Sequence, residues 1–188
     1  MTKYILHGGN TSEDNKDNNS FFYEIANSVP KHGLLLLNYF SRDKNDVERC
    51  YKQDTNKIIK VSKRKDIKYE ITDENILKEQ LKKASGMYMR GGRTPQLQKK
   101  LLKTKNLENL FKKKTISGSS AGAYVLSRYY CGNTFNKNRK GLGILDIKLR
   151  VHYKEKDDKI VIPELLAYKE KYLPLVTLGD HKWIVMYK

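Results

Sequence analysis

The chain is 188 residues long, with 38% hydrophobic and 31% charged residues. That is polar for a globular protein yet too apolar for wholesale disorder, and the length suits one domain with a real core. The formal charge of +17 comes from 38 Lys and Arg against 21 Asp and Glu, which raises nucleic acid as a partner. Only eight of the 38 are Arg, and the Lys are scattered over the whole chain. Base-edge and phosphate readers lean on Arg forks, so the composition favours a solvated basic surface and disfavours nucleic acid. No apolar run approaches the roughly 18 residues of a membrane span. The start, Met1 to Gly9, lacks the apolar stretch and small-residue cleavage site of a signal peptide. Cys50 and Cys131 fit no metal-ligand spacing and no disulfide framework, so each reads as a small buried residue in a reducing cytoplasm.

Short apolar strands alternate with amphipathic helices, which predicts an α/β fold with a mostly parallel, doubly wound sheet covered on both faces. Tyr4-Ile5-Leu6 reads as a first strand running into Gly8-Gly9. A polar loop follows to Asn19, and Ser20 caps a helix over Phe21, Phe22, Ile25, Ala26 and Val29 that Pro30 and Gly33 end. Leu34 to Leu37 suits a central strand buried on both faces. Asp43 to Tyr51 reads as a helix and Lys57 to Val61 as a strand. Thr72 then caps a helix with an apolar stripe of Ile76, Leu77, Leu81 and Ala84, stopped by Gly86. Met87-Tyr88-Met89 is a strand leading into Arg90-Gly91-Gly92-Arg93. Thr94-Pro95 opens the next helix, with Leu97, Leu101 and Leu102 facing inward. Leu175 to Leu178 and Trp183 to Tyr187 read as strands around the turn Gly179 to Lys182. No repeat, linker or second domain interrupts residues 1–188.

The segment with chemistry in it is Thr115-Ile116-Ser117-Gly118-Ser119-Ser120-Ala121-Gly122-Ala123. A β-rich triplet enters G-x-S-x-G and a helical Tyr124-Val125-Leu126 leaves it, which is the layout of a nucleophile elbow. Such a bend tolerates no bulk two residues either side of the nucleophile, and Gly118 and Gly122 occupy those places. Ser120 then projects above the sheet, with the Ala121 amide placed to donate to a developing oxyanion. The same pattern also suits a turn that only packs or holds a phosphate. Gly91-Gly92, at the end of another strand, allows close backbone approach and a second oxyanion donor.

A serine nucleophile needs an imidazole to take its proton and a carboxylate to orient that imidazole. Of His7, His32, His152 and His181, spacing ranks His152 first, because it ends the alternation Ile147, Leu149, Val151. His7 also ends a strand, and His181 lies in the tail turn beside Asp180. His32 sits in a helix-terminating turn and reads as structural.

At these residues the sequence resembles the peptidase E (aspartyl dipeptidase) and cyanophycinase family of serine peptidases, whose fold is related to the class I glutamine amidotransferases. Tyr88-Met89-Arg90-Gly91-Gly92 is similar to the family's strand ending in Gly-Gly-Asn. Gly118 to Ala123 is similar to its G-x-S-A-G-A elbow, and Gly141-Leu142-Gly143-Ile144-Leu145 followed by His152 to its G-L-G-L-L block and histidine. The resemblance implies a single-domain, three-layer, flavodoxin-like sandwich carrying a serine hydrolase that acts on small peptides. Ser120 would be the nucleophile, His152 the general base, Asp180 the acid, and the amides of Ala121 and Gly91 or Gly92 the oxyanion hole. Asp146, Asp157 and Asp158 are alternative acids. Arg93 stands where the family usually has Asn, and Arg93 and Arg90 are candidates to pair a substrate carboxylate. No cofactor or metal is implied, and a homodimer is compatible with the reading. The alternative from another class is a non-catalytic binding or regulatory protein on the same scaffold, in which no imidazole would reach Ser120.

Overall fold

The structure, a computed structural model, describes residues 1–132, 137–156 and 158–188. Strand β1 (Lys3–His7) is buried along nearly all its length and is followed by helix α1 (Lys16–Asn27). That helix starts four residues before the expected Ser20 cap, because the Asn15 side chain accepts the Asn18 amide at 2.8 Å and serves as the cap itself. Strand β2 (Leu34–Asn38) leads to helix α2 (Lys44–Ser62). The strand expected at Lys57 to Val61 is instead the end of α2. Cys50, Asp54 and Ile58 recur every four residues on one buried stripe, and that helical period overrides the local β-branched run. The strand of this region is β3 (Lys68–Ile71), a polar, largely exposed edge with no apolar run to announce it.

Helix α3 (Leu77–Lys83) begins later than a Thr72 cap would place it, since residues 74–76 form a turn first. Gly86 opens strand β4 (Gly86–Met89), where a Cβ would sit 2.6 Å from the Thr115 carbonyl of the neighbouring strand. Helix α4 (Thr94–Leu101) buries Leu97 and Leu101 but leaves Leu102 64% exposed, against expectation, because Leu102 falls beyond the last helical turn. Helix α5 (Leu107–Phe111), strand β5 (Thr115–Ser119), helix α6 (Ala121–Leu126) and strands β6 (Ser127–Cys131), β7 (Asn138–Lys140) and β8 (Leu145–Val151) follow. Helix α7 (Val161–Ala167) and strands β9 (Leu175–Leu178) and β10 (Trp183–Tyr187) complete the order.

Six strands form one sheet in the order β10-β1-β5-β4-β2-β3, parallel throughout except for β10. Successive strand residues point to opposite faces. Leu35 and Leu37 meet Phe21, Phe22, Ile25 and Ile58 of α1 and α2, while Leu36 meets Leu81, Leu97 and Leu101 on the other side. Three layers result, and the α/β, mostly parallel architecture stands. The expected single sheet is divided, however: β7-β6-β8-β9 form a second one, packed through Ile147, Leu149 and Val151 into the same core as α6. The tail strands part company, β9 pairing with β8 and β10 with β1. The turn between them therefore crosses from one sheet to the other, over the C-terminal ends of β1 and β8.

Candidate active site

The bend between β5 and α6 is forced by its glycines. A Cβ on Gly118 would collide with the Gly122 backbone, and one on Gly122 with the Met89 carbonyl. Ser120 between them has φ 50° and ψ −108°, a conformation that costs a non-glycine residue roughly 1–3 kcal/mol and persists only where surroundings impose it. Its amide donates to the His7 carbonyl at 3.0 Å, and its carbonyl accepts from Ala123 and Tyr124 to open α6. The side chain is left at the surface of the sheet's C-terminal edge, half-buried.

The Ser120 hydroxyl lies 2.9 Å from His152 Nε2, and His152 Nδ1 lies 2.5 Å from Asp180 Oδ1. His152 follows the last residue of β8 in a left-handed conformation, φ 54°, with its amide donating to Gly8. Asp180 hangs from the turn between β9 and β10. The two side chains are 25% and 28% exposed. A carboxylate accepting the Nδ1 proton leaves the Nε2 lone pair facing the hydroxyl, which is the arrangement a general base requires.

The other histidines are engaged elsewhere. His7 is fully buried, and its Nε2 donates to Asn18 Oδ1 at 2.8 Å. Burial lowers its pKa to about 4. His181 bonds Glu13 and Asn15, and the His32 amide donates to Asp66. Among the alternative acids, Asp146 pairs with Arg128 at the surface and Asp158 is buried against Arg150 and the Lys154 amide. Asp157 lies outside the described residues.

Gly91 stands against the nucleophile, so that a Cβ there would approach Ser120 Cβ to 3.0 Å. Gly92 has φ +153° and presses on Ser41, whose hydroxyl donates to the Arg90 carbonyl at 2.8 Å. Gly91 thus lies beside the nucleophile, and Ala121 follows it directly in the chain. Two cavities meet at Ser120. One of about 320 Å³ is polar, lined by Asn10, Thr11, Ser12, Arg42 and His152. The other, of about 470 Å³, is walled by Pro95, Tyr124 and Tyr130, with Arg93 and Arg139.

Arg90 also borders the polar cavity, but its charge is engaged elsewhere. Its guanidinium turns inward to Asp54 at 2.7 Å and Gln53 at 2.9 Å, and both ionic partners are less than a tenth exposed. Desolvation of Asp54, the largest influence on it, raises its pKa, and the Arg90 charge opposes the shift. Arg93 does stand at the cavity rim, paired with Asp43 and 3.1 Å from Gln96. The sequence reading missed Arg42. It is half-buried beside Ser120 and His152, and its Nε has no partner among the described residues. Its position just past the end of an interior parallel strand, where α/β sheets bind ligands, was the available signal. No group of three or more His, Cys, Asp or Glu among the described residues is placed to hold a metal. No helix among them is long and apolar enough to cross a membrane.

A family model described as Peptidase family S51 matches residues 40–188. The chain is also similar to the crystal structure of a peptidase from an acI-B1 Actinobacterium, with a TM-score of 0.73 at 16% identity over 99% of this chain and 83% of that one. A putative peptidase E protein from Listeria monocytogenes EGD-e superposes with a TM-score of 0.65 at 17% identity, over 99% and 94% of the two chains. No curated protein matches it in sequence.

Proposed function

The chain belongs to peptidase family S51 and is a serine-type peptidase, and from that premise we propose that Ser120, His152 and Asp180 carry out the hydrolysis of small peptides. His152 removes the Ser120 proton as Oγ bonds to the scissile carbonyl carbon. The carbonyl oxygen becomes an oxyanion, which the amides of Gly91 and Ala121 receive, with Gly92 holding the strand-end turn open. His152 then passes its proton to the leaving amine and the C–N bond breaks. Water, deprotonated by the same imidazole, releases the acyl group and restores the hydroxyl.

Two cavities of one- or two-residue size that share Ser120 in their linings support a short substrate. Arg42 lines one and Arg93 and Arg139 the other, so a substrate carboxylate belongs to this set, while Arg90 at the edge of the polar cavity is engaged by its buried ion pair. A cytoplasmic location belongs to the same proposal, supported by the two free, buried cysteines.

The observation behind the assignment is the continuous hydrogen-bonded line from Ser120 through His152 to Asp180. It also supports catalysis over the scaffold-only alternative, which expects an imidazole out of reach of the hydroxyl. Labelling with a serine-directed fluorophosphonate tests the assignment. Wild type is expected to label and Ser120→Ala not to, with peptide hydrolysis falling at least about 10⁴-fold. Equal labelling of the two proteins removes Ser120 from the mechanism.

A further inference from the structure

The segment His7-Gly8-Gly9 holds the three proposed catalytic residues in a way their own hydrogen bonds do not. Its carbonyls are used in succession. His7 accepts the Ser120 amide at 3.0 Å, Gly8 accepts the His152 amide at 3.0 Å, and Gly9 accepts the amide of His181, next to Asp180, at 3.2 Å. One short piece of main chain thus sets the relative height of nucleophile, base and acid, which come from β5, β8 and the β9–β10 turn. Gly9 also forms the floor under the base. At its φ of +133°, a Cβ would lie within 2.6 Å of both His152 ring nitrogens, so the imidazole rests directly on the Gly9 α-carbon.

The conformation of that segment is fixed from behind by the His7 side chain. The Gly9 amide donates to His7 Nδ1 at 3.0 Å, while His7 Nε2 faces Asn18 Oδ1. The Asn18 amide nitrogen donates to the carbonyls of Asn10 and Glu13, so its oxygen is the atom turned to His7. His7 must therefore be the neutral Nε2–H tautomer, with an acceptor at Nδ1. A proton on Nδ1 would oppose the Gly9 N–H.

We propose that His7 is a positioning residue of the peptidase: its neutral imidazole pins the Gly9 amide and so keeps the three carbonyls, and the His152 ring above them, in register with Ser120. The inference rests on the proposed roles of Ser120, His152 and Asp180. The titratable side chains facing His7 are His152, Asp180 and His181, and none of them bonds its Nδ1.

The test compares His7→Leu, which removes the acceptor, with His7→Asn, whose side-chain oxygen can take the Gly9 amide in place of Nδ1. Hydrolysis of a dipeptide is measured per fluorophosphonate-titrated site, so that unfolded molecules do not count. His7→Leu is expected to lower kcat at least tenfold with KM within twofold, and His7→Asn to recover kcat to within about threefold of wild type. Equal kcat per site in all three proteins, or equal loss in both variants, overturns the inference. If His7→Leu fails to fold, ¹⁵N ring shifts of the wild-type enzyme decide. An Nε2–H tautomer unchanged from pH 5 to 8 supports the assignment, and titration within that range refutes it. Failure of the Ser120→Ala labelling test would instead remove the site itself, so the two failures are distinguishable.

Discussion

Replacing Asp180 by Asn isolates what the acid contributes. The substitution keeps the shape of the side chain but turns the group facing His152 Nδ1 into either a neutral acceptor or an N–H donor. As a donor it forces the imidazole proton onto Nε2, the atom 2.9 Å from the Ser120 hydroxyl, and the base is lost. The corresponding change in a Ser-His-Asp triad lowers kcat about 10⁴-fold, which at 1.36 kcal/mol per tenfold is about 5.4 kcal/mol of transition-state stabilisation. Asp180 is 28% exposed, so water competes for Nδ1 and restores part of the correct tautomer. We therefore expect a loss of about 10³- to 10⁴-fold in kcat, with KM little changed. Stability serves as the control. A partly exposed imidazole–carboxylate hydrogen bond is worth about 1 kcal/mol, which in a chain of this size moves Tm by about 2–4 °C. Steady-state hydrolysis of a small peptide, alongside thermal unfolding, measures both quantities. A variant that keeps kcat within tenfold of wild type would show that Asp180 does not orient the base.

Stability should also fall with pH because of His7. Burial places its pKa near 4 in the folded protein, against 6.5 in a model peptide. Below pH 6.5 the unfolded chain binds a proton that the folded one refuses, so the contribution is complete at neutral pH and lost as pH falls toward 4. Between pH 7 and 4.5 the loss amounts to about 2.5 kcal/mol, readable by urea unfolding as a slope that His7→Asn lacks. Arg42→Ala should raise KM about 10- to 100-fold for substrates bearing a carboxylate and leave neutral ones within threefold. Unchanged KM for both classes would exclude Arg42 from recognition. Asp54→Asn, which strands the buried Arg90 charge, should cost about 3 kcal/mol in urea unfolding with kcat within threefold. A large loss of kcat per folded molecule would return Arg90 to the site.

What could be read from the chain and what could not divides along the range of the interaction. The elbow was legible because its demands are local: Gly118 and Gly122 stand where a Cβ would strike backbone within a few residues or on the adjacent strand. The buried strands were legible for a similar reason, as runs such as Leu34 to Leu37 have no other economical use. The end of α2 was not, because Ile58, Ile59 and Val61 look like a strand until Cys50 and Asp54 are counted with them. The ion pair of Arg90 was hidden for the same reason, its partner Asp54 lying 36 positions away. Arg42 drew no notice, although it lies just past the end of β2, and only the folded chain brings it beside Ser120 and His152. His152 could be ranked by its place at a strand end. Asp180 was named as its partner through the family resemblance; the residues alone do not show that β9 and β10 enter different sheets, which is what brings the turn between them to His152.

That division of the sheets has a consequence for how the enzyme works. The hydroxyl is anchored to the six-stranded sheet and the imidazole to the end of a strand of the four-stranded one, so in the proposed mechanism the proton passed between them crosses a seam. A slip of an ångström there would leave each half intact and well folded while parting donor from acceptor. Turnover is accordingly a finer gauge of how tightly the two halves are docked than any measure of secondary structure.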